Sequence, residues 1–549
     1  MFRTLISQKL HLGRAQPFLG DGLRCRGPSI SRIINRIDLH VEDSRVKRLL
    51  HTTASQSSSS TSSISIKREA KSEGDSNKST FSRKIPKQTL VVAGFGLAAL
   101  TYTTLSNGSE EVENDNQLRN KTWGELISLY LTYRLCTVTY LVKHGPEMLD
   151  LLKSLGLGGL GNFMVSSTFF ATFCGGGDVN GMISTGKQLQ QQGLGTIVDY
   201  AEEEIEFNVN TDMEQQRRAV MTRFTESILA ASQIAAGSFV ALRMTTFCPH
   251  HVLKNLTQAC LSVKINHEQT CMEDEHFLQE HLSPWEIEAV HQAIDCLGQL
   301  VRVASKSGVH IMLDAETWET QVAIDHMFLQ VLRETSKDAQ SRSSRPTIFQ
   351  TFQAYTKSCP ERLEQAIRFS EANDCPLGVK LVRGAYVEAE TKRAVDSGLS
   401  SPLWSSKEET DRCYNHAIVS FIERMRTNII SQSSNAGPVS IMLATHNEQS
   451  AMLGLQERAF LAREDRKRVF FAQLYGMGRE LSQKVAQKAS SGEEEDDTAP
   501  DVYKYVPYGP LDVVMNYLQR RATENLGMRS LAVHEYLAAG REMRRRVLG

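Results

Sequence analysis

From Gly195 onward the chain alternates between two hydrophobic periods. Eight short apolar runs, at residues 195–200, 239–245, 309–314, 347–353, 378–383, 439–445, 468–474 and 502–506, are each followed by a longer amphipathic stretch. Most of the runs lack polar alternation, which predicts strands covered on both faces. The spacers repeat their apolar positions at helical period, as in residues 213–236, 318–337, 360–373 and 481–490. Strands that alternate with helices predict a parallel α/β sheet, and eight of them predict closure into a (β/α)8 barrel. An open doubly wound sheet is the alternative, but no G-x-G-x-x-G follows the first run, so a dinucleotide site of the Rossmann kind is not signalled.

Two spacers stand out. Residues 246–308 are long enough to carry extra helices, and the acidic run Glu493 to Asp497 interrupts the last helix-to-strand turn as a solvated loop. Residues 118–194 read as a helical lead-in, leaving 195–549 for the barrel.

The front end is different in kind. Residues 1–20 hold Arg3, Lys9 and Arg14 and no acid, and Arg24, Arg26, Arg32 and Arg36 follow against Asp21 and Asp38. An Arg-rich, acid-poor leader predicts a mitochondrial presequence over 1–52. A low-complexity linker follows over 53–117, with the serine-rich run 55–63 unable to nucleate a core. Within it, residues 88–109 carry no charge and include an apolar run, Leu90 to Leu100, that is borderline in length for a bilayer span. A membrane anchor and a packed or interfacial helix both stay open for that segment.

Composition then removes whole classes. A formal net charge of -1 gives no basic excess, so nucleic acid has no electrostatic support as a partner. The ten cysteines are scattered without a C-x-x-C pair, which suits thiols rather than a disulfide framework. No metal site is expected: the nearest cluster, Cys248-Pro249-His250-His251, lacks spaced ligand pairs and reads as a solvated loop.

A barrel of this kind builds its site at the carboxyl ends of the strands, so the polar residues that close each run are the candidates. They are Asp314 and Glu316 after run three, Gln353 and Tyr355 after run four, Lys380, Arg383 and Tyr386 at run five, and His446 and Asn447 after run six. Run seven ends in Leu474-Tyr475-Gly476-Met477-Gly478, whose glycines would let a ligand approach the backbone. Run eight supplies Tyr505 and Tyr508. Beyond it, Tyr517, Arg520, Arg521 and Glu524 stand at i, i+3, i+4 and i+7 and share one helical face. Two adjacent guanidiniums need an anion; arginine suits bidentate carboxylate binding, and Glu524 can hold one of the pair. Lys380 and Arg383 at a strand end must be paired or bound to ligand. These residues alone support a barrel that binds a phosphate-bearing cofactor and a small carboxylate.

Three stretches then resemble the proline dehydrogenase family: Lys380-Leu381-Val382-Arg383-Gly384-Ala385-Tyr386, Gln473 through Gly478, and Tyr517 through Asn525. Upstream, Thr168-Phe169-Phe170 with Cys174-Gly175-Gly176, and Gly195 through Ala201, are similar to the start of the family's catalytic region. The resemblance runs from about residue 120 to the C-terminus, with the motifs in the family's order. It implies a distorted barrel holding FAD non-covalently, oxidation of L-proline to Δ1-pyrroline-5-carboxylate, and transfer of the electrons to ubiquinone on the matrix side of the inner mitochondrial membrane.

By the same resemblance Arg520 and Arg521 grip the proline carboxylate with Glu524 paired to them. Tyr505, Tyr386 and Leu474 wall the ring, and Asp314 supports the substrate-side network. Gln353, Lys380, Arg383 and His446 contact the flavin. One departure is Arg243, which stands where the family commonly has lysine; the charge is kept, but reach and hydrogen bonding differ. Two competing readings remain: a barrel hydrolase or aldolase using the same rim on a phosphate-bearing substrate, and a catalytically dead, membrane-associated binding barrel.

Overall fold

The computed structural model describes residues 116–201, 213–263, 268–337, 345–430, 439–490, 500–527 and 529–548. The leader, nearly all of the linker with its apolar segment 88–109, and the acidic run 493–497 lie outside the described residues. Among those described, no helix is long and apolar enough to cross a membrane.

The eight runs become eight strands: β1 Gly195–Tyr200, β2 Phe239–Leu242, β3 His310–Leu313, β4 Ile348–Gln353, β5 Gly378–Val382, β6 Ser440–Ala444, β7 Val469–Leu474 and β8 Val502–Tyr508. They close in sequence order, β8 returning to β1, and every pairing is parallel. The open-sheet alternative is thereby excluded. Helices predicted over 213–236, 318–337, 360–373 and 481–490 form as Met213–Ile234, Trp318–Ser336, Cys359–Ala372 and Arg479–Ser490. The long spacer 246–308 does hold further helices, His250–Ser262, Glu275–His281 and Pro284–Lys306.

Two strand ends differ from the sequence expectation by more than one residue. β2 stops at Leu242 because the chain after Arg243 turns into a 3-10 segment, Met244–Thr246, and the Thr245 N–H donates to the Glu316 carboxylate at 3.0 Å. β8 runs past Pro507 because only that residue's carbonyl is needed: it accepts from the Gly175 N–H at 2.8 Å, so the missing donor costs nothing there. The expected solvated loop at Cys248 is shorter and drier than the sequence suggests, although His250 and His251 are exposed. Cys248 is fully buried and His250 opens the helix His250–Ser262.

Alternate side chains on each strand explain why the runs look continuously apolar. One set, including Val198, Val240, Ile311, Val379, Ile441 and Val469, packs outward under the helices. The other fills the barrel, with Ile197, Phe239, Met312, Phe349, Met442, Phe470 and Tyr503 in one interior cluster. Phe239 lies at the centre of it, edge-on to Phe349 at 5.1 Å and to Tyr503 at 5.1 Å. Edge-to-face rings of this kind plug the amino end of the barrel. Moving two residues on along the same inward face changes the chemistry: Ile197 gives way to Asp199, Ala241 to Arg243, and Met312 to Asp314. The interior is therefore apolar at one end and charged at the other.

Over the charged end lies the helix Leu511–Gly527, which follows β8 directly. It is seated by a second core, where Tyr517 and Leu518 join Leu126, Tyr130 and Tyr133 of the helix Trp123–Cys136 and Ala532 and Ala539 of the helix Arg529–Leu548. The helices before the barrel thus hold in place the helix that covers its mouth.

Candidate active site

A cavity of about 510 Å³ opens at the carboxyl ends of the strands. All twelve residues expected to take part line it: Arg243, Asp314, Gln353, Lys380, Arg383, Tyr386, His446, Leu474, Tyr505, Arg520, Arg521 and Glu524.

At its base Asp314 is shared. One carboxylate oxygen pairs with the Lys380 ammonium, and the other accepts from the Tyr505 hydroxyl at 2.7 Å. Burial, reinforced by Asp199 and Asp314, holds the Tyr505 phenol well above its usual range, so it stays a donor. The Lys380 ammonium also stands 5.3 Å from the centre of the Tyr505 ring. Arg243, from the turn after β2, is half-buried. Burial works against its charge, but Asp199, Tyr505, Tyr386 and Asp314 together hold its pKa well above the ordinary value.

On the covering helix, Arg521 is 5% exposed and donates through Nη2 to Glu524 at 2.6 Å. Its guanidinium lies 4.8 Å from the centre of the Tyr517 ring. Its Nε is buried without a hydrogen-bond partner. A guanidinium has five N–H donors, so a cation this dry and this sparsely paired is prepared for an anion. Arg520 lines the same wall and, with Arg521, opposes the rise that burial imposes on the Glu524 pKa.

The opposite wall is built differently. Arg383 is locked by three hydrogen bonds, to Asp411 at 2.7 Å, Thr445 at 2.7 Å and Ser450 at 2.9 Å. Its face is therefore fixed, and N–H groups beyond those three remain to meet a ligand. His446 accepts from the Leu474 N–H through Nε2 at 3.2 Å, which puts its proton on Nδ1. Burial, with Lys504 and Arg521 adding to it, drives the imidazole down to about 3, so it is neutral. Its Nδ1 is buried and unpartnered. Gln353 is held by a bond from its amide nitrogen to the Glu316 carbonyl at 3.0 Å.

The glycines after β7 serve the chain rather than a ligand. Gly476 has φ +74°, and a Cβ there would collide with the Thr172 carbonyl. Gly478 has φ +59°, and a Cβ would come within 2.7 Å of His446 Nδ1. Only glycine meets both demands.

Sequence reasoning missed Asp199. It is the last inward-facing residue of β1, is 3% exposed, and has one carboxylate oxygen without a partner. Burial pushes it up to about 6, with Arg243 opposing and Asp314 reinforcing the rise. Applying the strand-end rule to the first strand would have found it. Asp411, which fixes Arg383, sits in the helix Lys407–Ile430 and left no pattern to find. Away from this cavity, Cys260, Cys271 and His326 bring their ligand-type atoms within 4.8 Å of one another, a grouping their separation in sequence conceals.

Residues 182–533 match the family model described as proline dehydrogenase. The chain is 30% identical over 413 residues to mitochondrial proline dehydrogenase 2 of Arabidopsis thaliana, covering 70% of this chain and 79% of that protein. It is 28% identical over 443 residues to hydroxyproline dehydrogenase of Bos taurus, covering 78% of this chain and 92% of that one. Among solved structures it resembles proline utilization A from Bdellovibrio bacteriovorus inactivated by N-propargylglycine, with TM-score 0.50 and 18% identity. That alignment covers 81% of this chain and 42% of the solved chain, and the likeness is one of fold. With the charged barrel mouth, the covering arginine helix and a family match that spans most of the barrel, this chain belongs to the proline dehydrogenase family.

Proposed function

We propose that the protein oxidises L-proline to Δ1-pyrroline-5-carboxylate, with FAD as its bound cofactor and ubiquinone at the inner mitochondrial membrane as the final acceptor. The observation that carries this reading is Arg521: a dry, singly paired guanidinium beside Arg520, facing a cavity whose other walls are Tyr505, Leu474 and Tyr386. A carboxylate on a small, mostly apolar ring is the ligand such a cavity fits.

The opposite wall suits the cofactor. His446 Nδ1 is a buried N–H without a partner, and a buried orphan donor is unfavourable unless something accepts from it. Gln353, Lys380 and Arg383 add an amide and two cations along the same wall, a donor set matched to the carbonyls and phosphates of a flavin nucleotide. When bound, FAD supplies the acceptor for a hydride from C5 of the substrate.

The chain's own residues position and exclude. Arg520 and Arg521 anchor the carboxylate far from the reacting carbon, so the ring is fixed at one end before the other reacts. Tyr505, tethered to Asp314, cannot swing away from the ring. The substrate amine must be neutral to react, so turnover should rise with pH until that amine is deprotonated. In the same reading 1–52 is the import leader, 118–194 the lead-in and 195–549 the catalytic barrel.

The test is to incubate purified protein with L-proline and an artificial electron acceptor while trapping the cyclic imine with an aromatic amino aldehyde. Imine formed from L-proline, but not from D-proline, supports the assignment. A protein that forms none, yet cleaves a phosphate-bearing substrate, would return the barrel to the hydrolase class.

A further inference from the structure

A second cavity of about 640 Å³ lies on the far side of the turn after β7, between the barrel wall and the helices that precede it. Its walls include Ser128, Thr172, Gln188, Gln191 and Tyr475, and Lys504 of β8 reaches into it. Lys504 is 5% exposed, and its ammonium donates to one acceptor, the Met477 carbonyl, at 2.8 Å. An ammonium has three donors, so two are left over in a dry place.

The other charged groups that line the cavity are committed to one another: Lys121 pairs with Glu125 at 3.6 Å. Glu535, 2% exposed, is committed to Arg479 at 3.0 Å. Burial drives the Lys504 pKa down to about 7, with Glu535 opposing and Arg479 adding to the fall. A buried ammonium with one acceptor is unfavourable as it stands, and an anion would relieve it by supplying both a counter-charge and the missing acceptors.

We propose that this cavity is a binding site for a small anion, a carboxylate or a phosphate, held by Lys504 and by the side-chain amides of Gln188 and Gln191. The site is separate from the reaction cavity, whose own anion-binding groups are Arg520 and Arg521. The two share only the turn from Leu474 to Met477, which borders one at each end.

The experiment titrates inorganic phosphate and, separately, succinate into the purified full chain by calorimetry, alongside Lys504→Met, Lys504→Arg and Arg521→Met. Saturable binding is expected in the parent chain and in Lys504→Arg, weakened at least about tenfold in Lys504→Met, and retained in Arg521→Met. The two titrants show whether phosphate or carboxylate is preferred. Equal binding in Lys504→Met, loss in Arg521→Met, or no saturable binding of either anion would overturn the proposal. Should Lys504→Met fail to fold, reductive methylation of the parent chain near neutral pH, read by peptide mass spectrometry, decides instead. Lys504 should be protected by the bound anion, and unchanged methylation at saturating phosphate and succinate would overturn the site. Because the readout is binding rather than turnover, it stands or falls apart from the assignment of the reaction.

Discussion

The Tyr505 hydroxyl donates to Asp314 at 2.7 Å across the barrel mouth, while Lys380 takes the other oxygen of the same carboxylate. The phenol therefore has its one proton committed and its ring held against the substrate space. A hydroxyl carried on the substrate ring would crowd this ring and find that donor already spent. Leaving a polar group unpaired costs about 1–3 kcal/mol, or about ten- to a hundredfold in selectivity. L-proline should be preferred over trans-4-hydroxy-L-proline by that factor, and Tyr505→Ser should relax the preference. Equal kcat/KM for the two substrates in the parent chain would contradict the placement of Tyr505 over the ring.

Arg521 gives a second prediction. Replacing it with methionine removes a charge-assisted bond worth about 1.5–3 kcal/mol and leaves the stacking on Tyr517 largely intact in volume. The proline KM should rise about ten- to 150-fold with the fold retained, and Arg521→Lys should fall between the two because it keeps the charge without the fork. Steady-state kinetics and a thermal melt measure both. A parental KM in Arg521→Met would show that the carboxylate binds elsewhere.

Asp199 sets a pH dependence. Burial lifts it from 3.8 to about 6 in the folded chain, so the folded state keeps a proton that the unfolded state has already released. The stability contributed by neutral Asp199 is complete below about 3.8 and is lost as pH rises through about 6. A gap of two units corresponds to about 3 kcal/mol. Asp199→Asn is neutral throughout and should lack this slope, so its Tm should gain on the parent's between about pH 4 and about pH 7. Parallel Tm profiles for the two proteins would show that Asp199 is not titrating in that window.

The leader makes a prediction of its own. Removing residues 1–51 should abolish mitochondrial import while leaving flavin content and catalysis intact in vitro. Loss of flavin from the truncated protein would place the leader in the fold instead.

Much of the barrel was legible because each strand is buried on both faces and its run of apolar residues is therefore unbroken. The boundary differences have local causes: β2 is cut short by the hydrogen bond from Thr245 to Glu316, and β8 outlasts Pro507 because Gly175 needs that carbonyl. The rim was legible where charged residues close an apolar run, as at Asp314 and Lys380, and where helical spacing sets Arg520, Arg521 and Glu524 on one face. It was hidden where a contact depends on tertiary packing alone. The lock on Arg383 comes from Asp411, Thr445 and Ser450, on different elements, and the glycines at 476 and 478 answer to Thr172 and His446 rather than to a ligand. No pattern in the sequence connects those pairs.

The central claim, that this cavity oxidises L-proline with a bound flavin, meets its most direct test in one spectrum. Purified protein, kept anaerobic, is mixed with L-proline while its visible absorption is followed. A yellow protein whose flavin band bleaches on addition of L-proline, and not of D-proline, is the predicted result. A colourless protein, or a yellow one whose flavin band stays unchanged with saturating L-proline, would contradict it.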